Sequence, residues 1–360
     1  MKNDSPVRCI PVQEAVGFTL CHDITEIVPG EKKGPAFLRG HIVCEQDIEH
    51  LLRLGKEHLY VWNADVATVS GASAPLMEAG AVHEDDAARR MAAVVSGEGI
   101  AYGEPREGRI NFRAARQGLF SINLDLLDRI NSIPYVTLAT AHSPQAVEKG
   151  RMLAGTRVIP LTVPESTVKS VEDCCREAAS PLLDVLPFKE HRVGIVTTGS
   201  EVYHGRVKDA FGPVLHKKFS AWGSVIHSQE IVPDTTDVTV AAINKAIADG
   251  ADFICVTGGM SVDPDDKTPA AIRAVGCEII TYGAPVFPGA MFMLGYLDNI
   301  PVLGLPGCVM YHRASIFDLI VPRILAGLRV SSREIVRLAH GGLCEGCPEC
   351  HYPQCAFGKG

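Results

Sequence analysis

Between about residues 190 and 328 the chain alternates strictly between strand-like and helix-like segments. This alternation constrains the fold more than any other feature. The β-branched runs RVGIVTT, SVIHSQEIV and ADFICVT are each followed by a turn and then by a helical stretch: GPVLHKKFSAWG, TTDVTVAAINKAIADG and TPAAIRAVG. Strands joined through helices cross over and lie parallel, so the pattern predicts an α/β domain with a mostly parallel sheet and helices on both faces. In the third helix Thr268 is expected as the N-cap, with Pro269 at the first position. CEIITYGAPV, AMFMLGYL and IPVLGLPG read as further strands or hairpin arms, and VMYHRASIFDLIVPRILAGL as one closing helix.

The upstream half has a different texture. Residues 1–97 read as a mixed α+β arm: AVGFTLCHDI and HLYVWN as strands, PGEKKGP as a turn region, EQDIEHLLRLG and HEDDAARRMAAVVSG as helices. Residues 98–188 read as a β-rich module built on GRINFRA, GLFSIN, YVTLATA and TRVIPLTV, with one helix at NLDLLDRINS. A helical connector, STVKSVEDCCREAA, then leads to a proline-punctuated linker, SPLLDVLPFKEH. Residues 189–330 form the α/β domain, and 331–360 a cysteine-rich tail.

The net charge is −8 and there is no long basic run, which argues against a nucleic-acid partner or an anionic membrane surface. The N-terminus lacks the apolar core of a signal peptide, and no run of about 18 apolar residues is present. Eight of the twelve cysteines are scattered along the chain. They read as reduced, mostly core thiols of a cytoplasmic protein.

Ligands of an open parallel sheet bind beyond the carboxyl ends of its strands. The residues expected on that rim are Thr198, Gly199, Ser200 and Glu201; Asp234; Thr257, Gly258, Gly259 and Ser261; and Pro306 and Gly307. Glycine turns with neighbouring hydroxyls suit a phosphate or pyrophosphate. Glu201, Asp234 and Asp266 lie among the same loops. Carboxylates beside a phosphate make chemical sense when Mg²⁺ lies between them, or when they grip donor groups on a heterocycle. Asp234 reads equally well as the cap of the helix that starts near Thr236, and Asp263 and Asp265 as turn residues.

GIVTTGSEV, TGGMSVDPDDKTP and GLPG, in this order and spacing, resemble the molybdopterin-binding domain. That domain occurs in molybdenum-cofactor adenylyltransferases, molybdenum insertases and related nicotinamide-mononucleotide deamidases. The resemblance covers about residues 190–328. More loosely, VQEAVGFTLCHDI and FLRGHIVCEQDIEHLLRLGKEHLYVWN are similar to the N-terminal arm of insertases. The resemblance implies a site for molybdopterin or its adenylylated form, with Mg²⁺. The family's acid after the glycine pair falls on Asp266, and its aspartate near the first long helix on Asp209. A homodimer is implied, and a molybdoenzyme or another maturation protein as partner. Two departures stand out. Where insertases carry a lysine-bearing K-P-G-K-P segment, this chain has Phe287-Pro288-Gly289-Ala290-Met291, and where they carry PGNP it has Pro306-Gly307-Cys308-Val309. Lys208 and Lys267 are the candidates to replace the lost charge.

In the tail, CEGCPECHYPQC places Cys344, Cys347, Cys350 and Cys355 at spacings of two, two and four residues. Four soft ligands so close together suit an iron–sulfur cluster or Zn²⁺. Two readings of function stand side by side. One is a transferase of cofactor maturation, inserting molybdate or handling the nucleotide of molybdopterin, with Asp266 and Glu201 as catalytic residues. The other is a non-catalytic carrier or sensor of the cofactor with a metal-bearing docking tail. A hydrolase of nucleotide-like amides or pyrophosphates suits the tail and the arm less well.

Overall fold

The computed structural model describes residues 7–28, 30–62, 80–261 and 266–359. Asp263 and Asp265 lie outside the described residues. Among the described residues no helix is long and apolar enough to cross a membrane.

The N-terminal module contains β1 (Val7–Pro11), β2 (Ile24–Val28), β3 (Lys32–Phe37), α1 (Glu45–Arg53) and β4 (His58–Trp62). β1 pairs antiparallel with β4, and β2 with β3. AVGFTLCHDI, expected as a strand, makes isolated bridges at Thr19 and Leu20 and enters β2 only at Ile24, while the breaker-rich PGEKKGP supplies most of β3. α1 starts at a capping box in which the Cys44 amide donates to Asp47 Oδ2 (2.9 Å), and it stops before Gly55 at φ +74°. The module closes on a small core of Ile10, Val12, Leu20, Leu51, Leu59 and Val61.

The β-rich module runs through β5 (Ala81–His83), α2 (Glu84–Val95), β6 (Ile100–Tyr102), β7 (Arg109–Ala114), β8 (Gly118–Ile122), α3 (Leu124–Asn131), β9 (Val136–Thr140), β10 (Gln145–Val147), β11 (Met152–Val158), β12 (Thr162–Pro164), α4 (Glu165–Glu177) and β13 (Leu183–Leu186). Its sheets have the orders β6-β7-β11-β9 and β10-β8-β13. β13 lies in the segment expected as a linker. The apolar residues between its prolines decide the matter: Leu182, Leu183 and Val185 are fully buried, and β13 pairs with β8.

The α/β domain contains β14 (Arg192–Thr198), α5 (Ser200–Tyr203), α6 (Phe211–Ala221), β15 (Val225–Val232), α7 (Thr236–Ala248), β16 (Phe253–Thr257), α8 (Thr268–Ala274), β17 (Glu278–Tyr282), β18 (Met293–Leu297), β19 (Ile300–Leu305), α9 (Cys308–Tyr311), α10 (Ile316–Leu325) and α11 (Ser332–Arg337). The six strands are ordered β15-β14-β16-β19-β18-β17. The first four are mutually parallel, and β18 runs antiparallel to both of its neighbours. β14 and β16 are buried along almost their whole length, as a sheet covered on both faces requires. One face packs on α6 and α10 through Phe219, Phe253, Phe292 and Phe317, and the other on α7 and α8 through Ile243 and Ile272. Burying each such side chain contributes about 1.5–3 kcal/mol. The closing helix is two helices, because Ser315 and Asp318 form a capping box that starts α10 afresh. α11 adds Ile335, and the segment after it Leu338 and Phe357, to the α6/α10 core.

A polar interior joins the first two modules. His83 is 1 % exposed, its Nε2 lies 3.1 Å from the Cys21 carbonyl, and its Nδ1 accepts from the Asp85 amide (3.2 Å). Burial, reinforced by the Arg39 guanidinium, holds its pKa below the ordinary value. Beside it, burial and then Asp85 push the Glu84 carboxyl from its ordinary 4.5 up to about 7. Between these two values the native protein holds a proton that the unfolded chain has lost, so this group lowers stability as pH rises from 4.5 through about 7. Glu84→Gln is therefore expected to melt above the parent at pH 8, with the gap closing toward pH 5. A thermal-melt series in which the gap does not narrow toward acid would overturn this assignment.

Candidate functional site

The parallel strands bring four turns to one rim. In register, Thr198 faces Val232, Thr197 faces Thr257, and Thr257 faces Leu305, so β14, β15, β16 and β19 end at nearly the same level. The turns 198–201, 233–235, 257–261 and 306–307 therefore sit side by side.

Two of these turns are locked together by buried hydroxyls. Thr257 Oγ1 donates to Thr197 Oγ1 (3.2 Å) beneath the rim. Above it, Thr268 Oγ1 donates to the Gly258 carbonyl (2.9 Å), which leaves it as the acceptor for Thr198 Oγ1 (3.3 Å). The Thr268 amide donates to the Gly259 carbonyl (3.3 Å). Thr268, expected as a cap, is instead the first residue of α8 and makes no capping bond; its hydroxyl is spent on this lock. It is the residue that sequence reasoning missed. A threonine just past a TGG turn reads as a helix start, and only the fold brings it to Thr198.

The glycines are required by space as much as by dihedral angle. Gly258 (φ +84°) would place a Cβ 2.0 Å from the Thr198 carbonyl oxygen. At Gly259 (φ +55°) a Cβ would lie 2.9 Å from Thr268 Oγ1 and 3.1 Å from Thr198 Oγ1. Met260 is buried next to them and fits because Gly304, on the adjacent strand, has no side chain: a Cβ there would lie 2.7 Å from the Met260 sulfur. The amides of Gly259 and Met260 find no acceptor among the described residues, and Ser261 is exposed beside them.

The acids divide into two classes. Asp234 Oδ2 accepts from the Ser200 amide (2.7 Å), so it caps α5, not the helix at Thr236. Asp209 accepts from the amides of Phe211 (2.9 Å) and Gly212 (3.0 Å) and from Gln229 Nε2 (2.6 Å), and thus starts α6. Both carboxylates are committed to N–H donors. Glu201 is exposed and folds back over Gly199, where a Cβ would lie 3.1 Å from Glu201 Oε1. Asp266 is half-buried at the end of the 257–261 turn, directly before Lys267 and Thr268. Gly307 is exposed with a helical φ of −53°, so its turn imposes no left-handed geometry. Arg206 and Lys208 are exposed on the loop that folds back on α5 through the Arg206 amide and the Glu201 carbonyl (2.8 Å).

The tail is built into the flank of the same domain. Leu343 bridges to Phe287, the Tyr352 hydroxyl donates to the Asp318 carbonyl (3.1 Å), and Cys344 and Cys355 lean on the α6/α10 core. Cys347 is exposed and Cys350 half-buried. Among the described residues no three His, Cys, Asp or Glu side chains converge to hold a metal. As placed, the four tail thiols do not form a centre.

Residues 194–326 match the family described as a probable molybdopterin binding domain, and residues 9–63 match a domain of unknown function. A molybdenum cofactor biosynthesis bifunctional protein of Synechococcus elongatus is 32% identical over 82 residues, which cover 23% of this chain and 26% of that one. The molybdopterin molybdenumtransferase of the same organism is 26% identical over 125 residues, covering 32% of this chain and 31% of its own. The chain thus spans under a third of the length of these curated relatives. Among solved structures, a tungsten cofactor synthesizing protein, MoaB, from Pyrococcus furiosus is 21% identical, covers 39% of this chain and 99% of its own, and has a TM-score of 0.32. The α/β domain is a molybdopterin-binding domain by this match.

The lock makes testable demands. Gly258→Ala is expected to prevent normal folding of the α/β domain or to lower its melting temperature sharply, because neither φ nor space allows the methyl group. Thr268→Val should cost about 1–3 kcal/mol by leaving the Gly258 carbonyl short of its donor, and Thr268→Ser should recover most of it. Circular-dichroism melts decide both; parent-like melting of Gly258→Ala would remove the lock from the account.

Proposed function

We propose that the α/β domain binds molybdopterin or its adenylylated form at this rim and serves molybdenum-cofactor biosynthesis. The observation that supports the reading is the interlocked turn pair: the Gly259 and Met260 amides find no acceptor among the described residues and lie next to Ser261, so they are the donors offered to a phosphate. Glu201, exposed beside Gly199, and Asp266, half-buried at the end of the 257–261 turn, are the rim acids offered for a cation. Two carboxylates suit Mg²⁺, which keeps several waters and binds through one or two carboxylates together with substrate phosphates. When bound, the ion would neutralise charge on the phosphate end of the ligand. In this reading the protein holds the phosphate, aligns the nucleotide bond with Glu201 and Asp266, and excludes water on the Met260 side.

A second reading, a carrier or sensor without turnover, draws on the segment that lacks the insertase lysines. Phe287 is bridged to the tail, and a Cβ on Gly289 would lie 2.5 Å from the Ile316 side chain, so this segment is tied down and uncharged. The tail belongs to the same proposal. Its thiols take up iron–sulfur or zinc only if residues 345–354 rearrange to bring them together.

Supplied anaerobically with adenylylated molybdopterin, molybdate and Mg²⁺, the protein is expected to release AMP, and Asp266→Asn to lose that release while still binding. Tight binding by the parent with no AMP would favour the carrier. No binding at all would end both readings. For the tail, stoichiometric iron or zinc lost in a Cys347→Ser/Cys350→Ser double variant is the expected result; metal-free protein with four titratable tail thiols would exclude it.

A further inference from the structure

One face of the β6-β7-β11-β9 sheet is left open to solvent, and its composition sets it apart from the rest of this acidic chain. Cross-strand register arranges its outward side chains in rows. Asn111, Gly155 and Ala139 form a floor. Arg109, Arg157 and Thr137 form one wall, and Arg113 with Met152 the other. Two grooves of about 600 and 870 Å³ share Arg109 and Asn111, and the larger is closed on its far side by Lys33, Pro35 and Leu38 of the N-terminal hairpin.

The charges in this groove are unequal in their freedom. Its acids are engaged: Asp23 accepts from the Arg39 amide (2.7 Å), Glu104 pairs with Arg89 (3.1 Å), and Glu107 accepts from Thr25 (2.7 Å) and pairs with Arg157 (3.7 Å). Arg106, Arg109 and Arg113 are exposed, and none has a carboxylate partner among the described residues. Arg109 is steadied by Asn111 Oδ1 (3.1 Å) and Arg113 by the Gly150 carbonyl (3.0 Å), so both guanidinium groups are held but not neutralised. Gly155 is the second signal. It interrupts a strand interior without any need for positive φ, and a Cβ there would meet Asn111 Oδ1 at 3.4 Å and the Ile110 carbonyl at 3.8 Å, both ordinary van der Waals distances. A strand glycine that neither dihedral angle nor crowding requires marks a place where another chain or ligand can approach the backbone.

We propose that this groove docks an extended acidic peptide segment of a partner protein. Arg109 and Arg113 are four residues apart on one strand, or ~13 Å, which is the separation of acidic side chains at i and i+4 in an extended peptide. The small, uncharged floor between them admits a main chain, and guanidinium groups at both ends take carboxylates in bidentate fashion. Nucleic acid fits less well. Tyr102, at one end, is the single aromatic side chain lining the two grooves, so no succession of stacking platforms exists, and the chain's net charge of −8 repels a long polyanion.

The test is fluorescence anisotropy on the full chain with a labelled peptide carrying glutamate pairs at both ends and a Ser-Gly spacer. The expected result is saturable, salt-sensitive binding. It should weaken at least tenfold in Arg109→Ser/Arg113→Ser and, independently, in Gly155→Val, which fills the floor with a strand-compatible side chain and keeps all the charge. Unchanged thermal melts check that both variants fold. No binding by the parent, binding unaffected by either variant, tighter binding of a uridine hexanucleotide, or self-association through this face on sedimentation would each overturn the proposal.

Discussion

The rim of the α/β domain depends on one relay, from the Thr198 hydroxyl through the Thr268 hydroxyl to the Gly258 carbonyl. It ties the end of β14 to the end of β16 and the start of α8, with 70 residues between Thr198 and Thr268. Because Thr198 and Thr268 are almost fully buried, neither hydroxyl can exchange its partner for water, and each must be satisfied within the protein. The left-handed glycines follow from it. With the turns drawn together, only residues without a Cβ fit between them. Gly304 and Met260 extend the same constraint one strand further.

The carboxylates that border the glycine turns are reconciled with a phosphate site once the role of each acid is followed. Asp209 and Asp234 neutralise amide donors at the starts of α6 and α5, so their charge is spent inside the scaffold and their role is to fix where the turns begin. Glu201 is exposed beside Gly199, and Asp266 is half-buried at the end of the 257–261 turn. A cation is the natural mediator wherever such carboxylates meet a phosphate.

Much of this was legible in the sequence. Alternation of buried runs with amphipathic stretches fixed the parallel sheet, and a parallel sheet fixes the rim, so Thr198, Gly258 and Gly259 could be placed together before any coordinates. What stayed hidden were pairings over long range. Thr268 reads as a cap until β14 and β16 are set side by side. Leu183–Leu186 reads as linker because its prolines are local signals, whereas its pairing with β8 and its burial are not. The single closing helix splits at Ser315 because a capping box outweighs continuous apolar periodicity. The spacing of the four tail cysteines suggests a centre, while the packing of Tyr352 and Phe357 onto the α6/α10 core is not visible in that spacing, and no three ligand side chains converge among the described residues.

Under the two proposals, anions would meet two different kinds of surface. At the rim the donors are backbone amides and hydroxyls, which carry no net charge and act only at contact distance, so selectivity there rests on shape. On the β-rich sheet the donors are arginines, whose field reaches about a Debye length, ~8–10 Å at physiological salt. A small phosphate-bearing ligand is better discriminated by the first and a tethered acidic segment better attracted by the second. With an overall charge of −8, an acidic partner would be drawn to the arginine face against the repulsion of the whole. Recognition of a small molecule and recruitment of a partner would then fall to different modules of one chain.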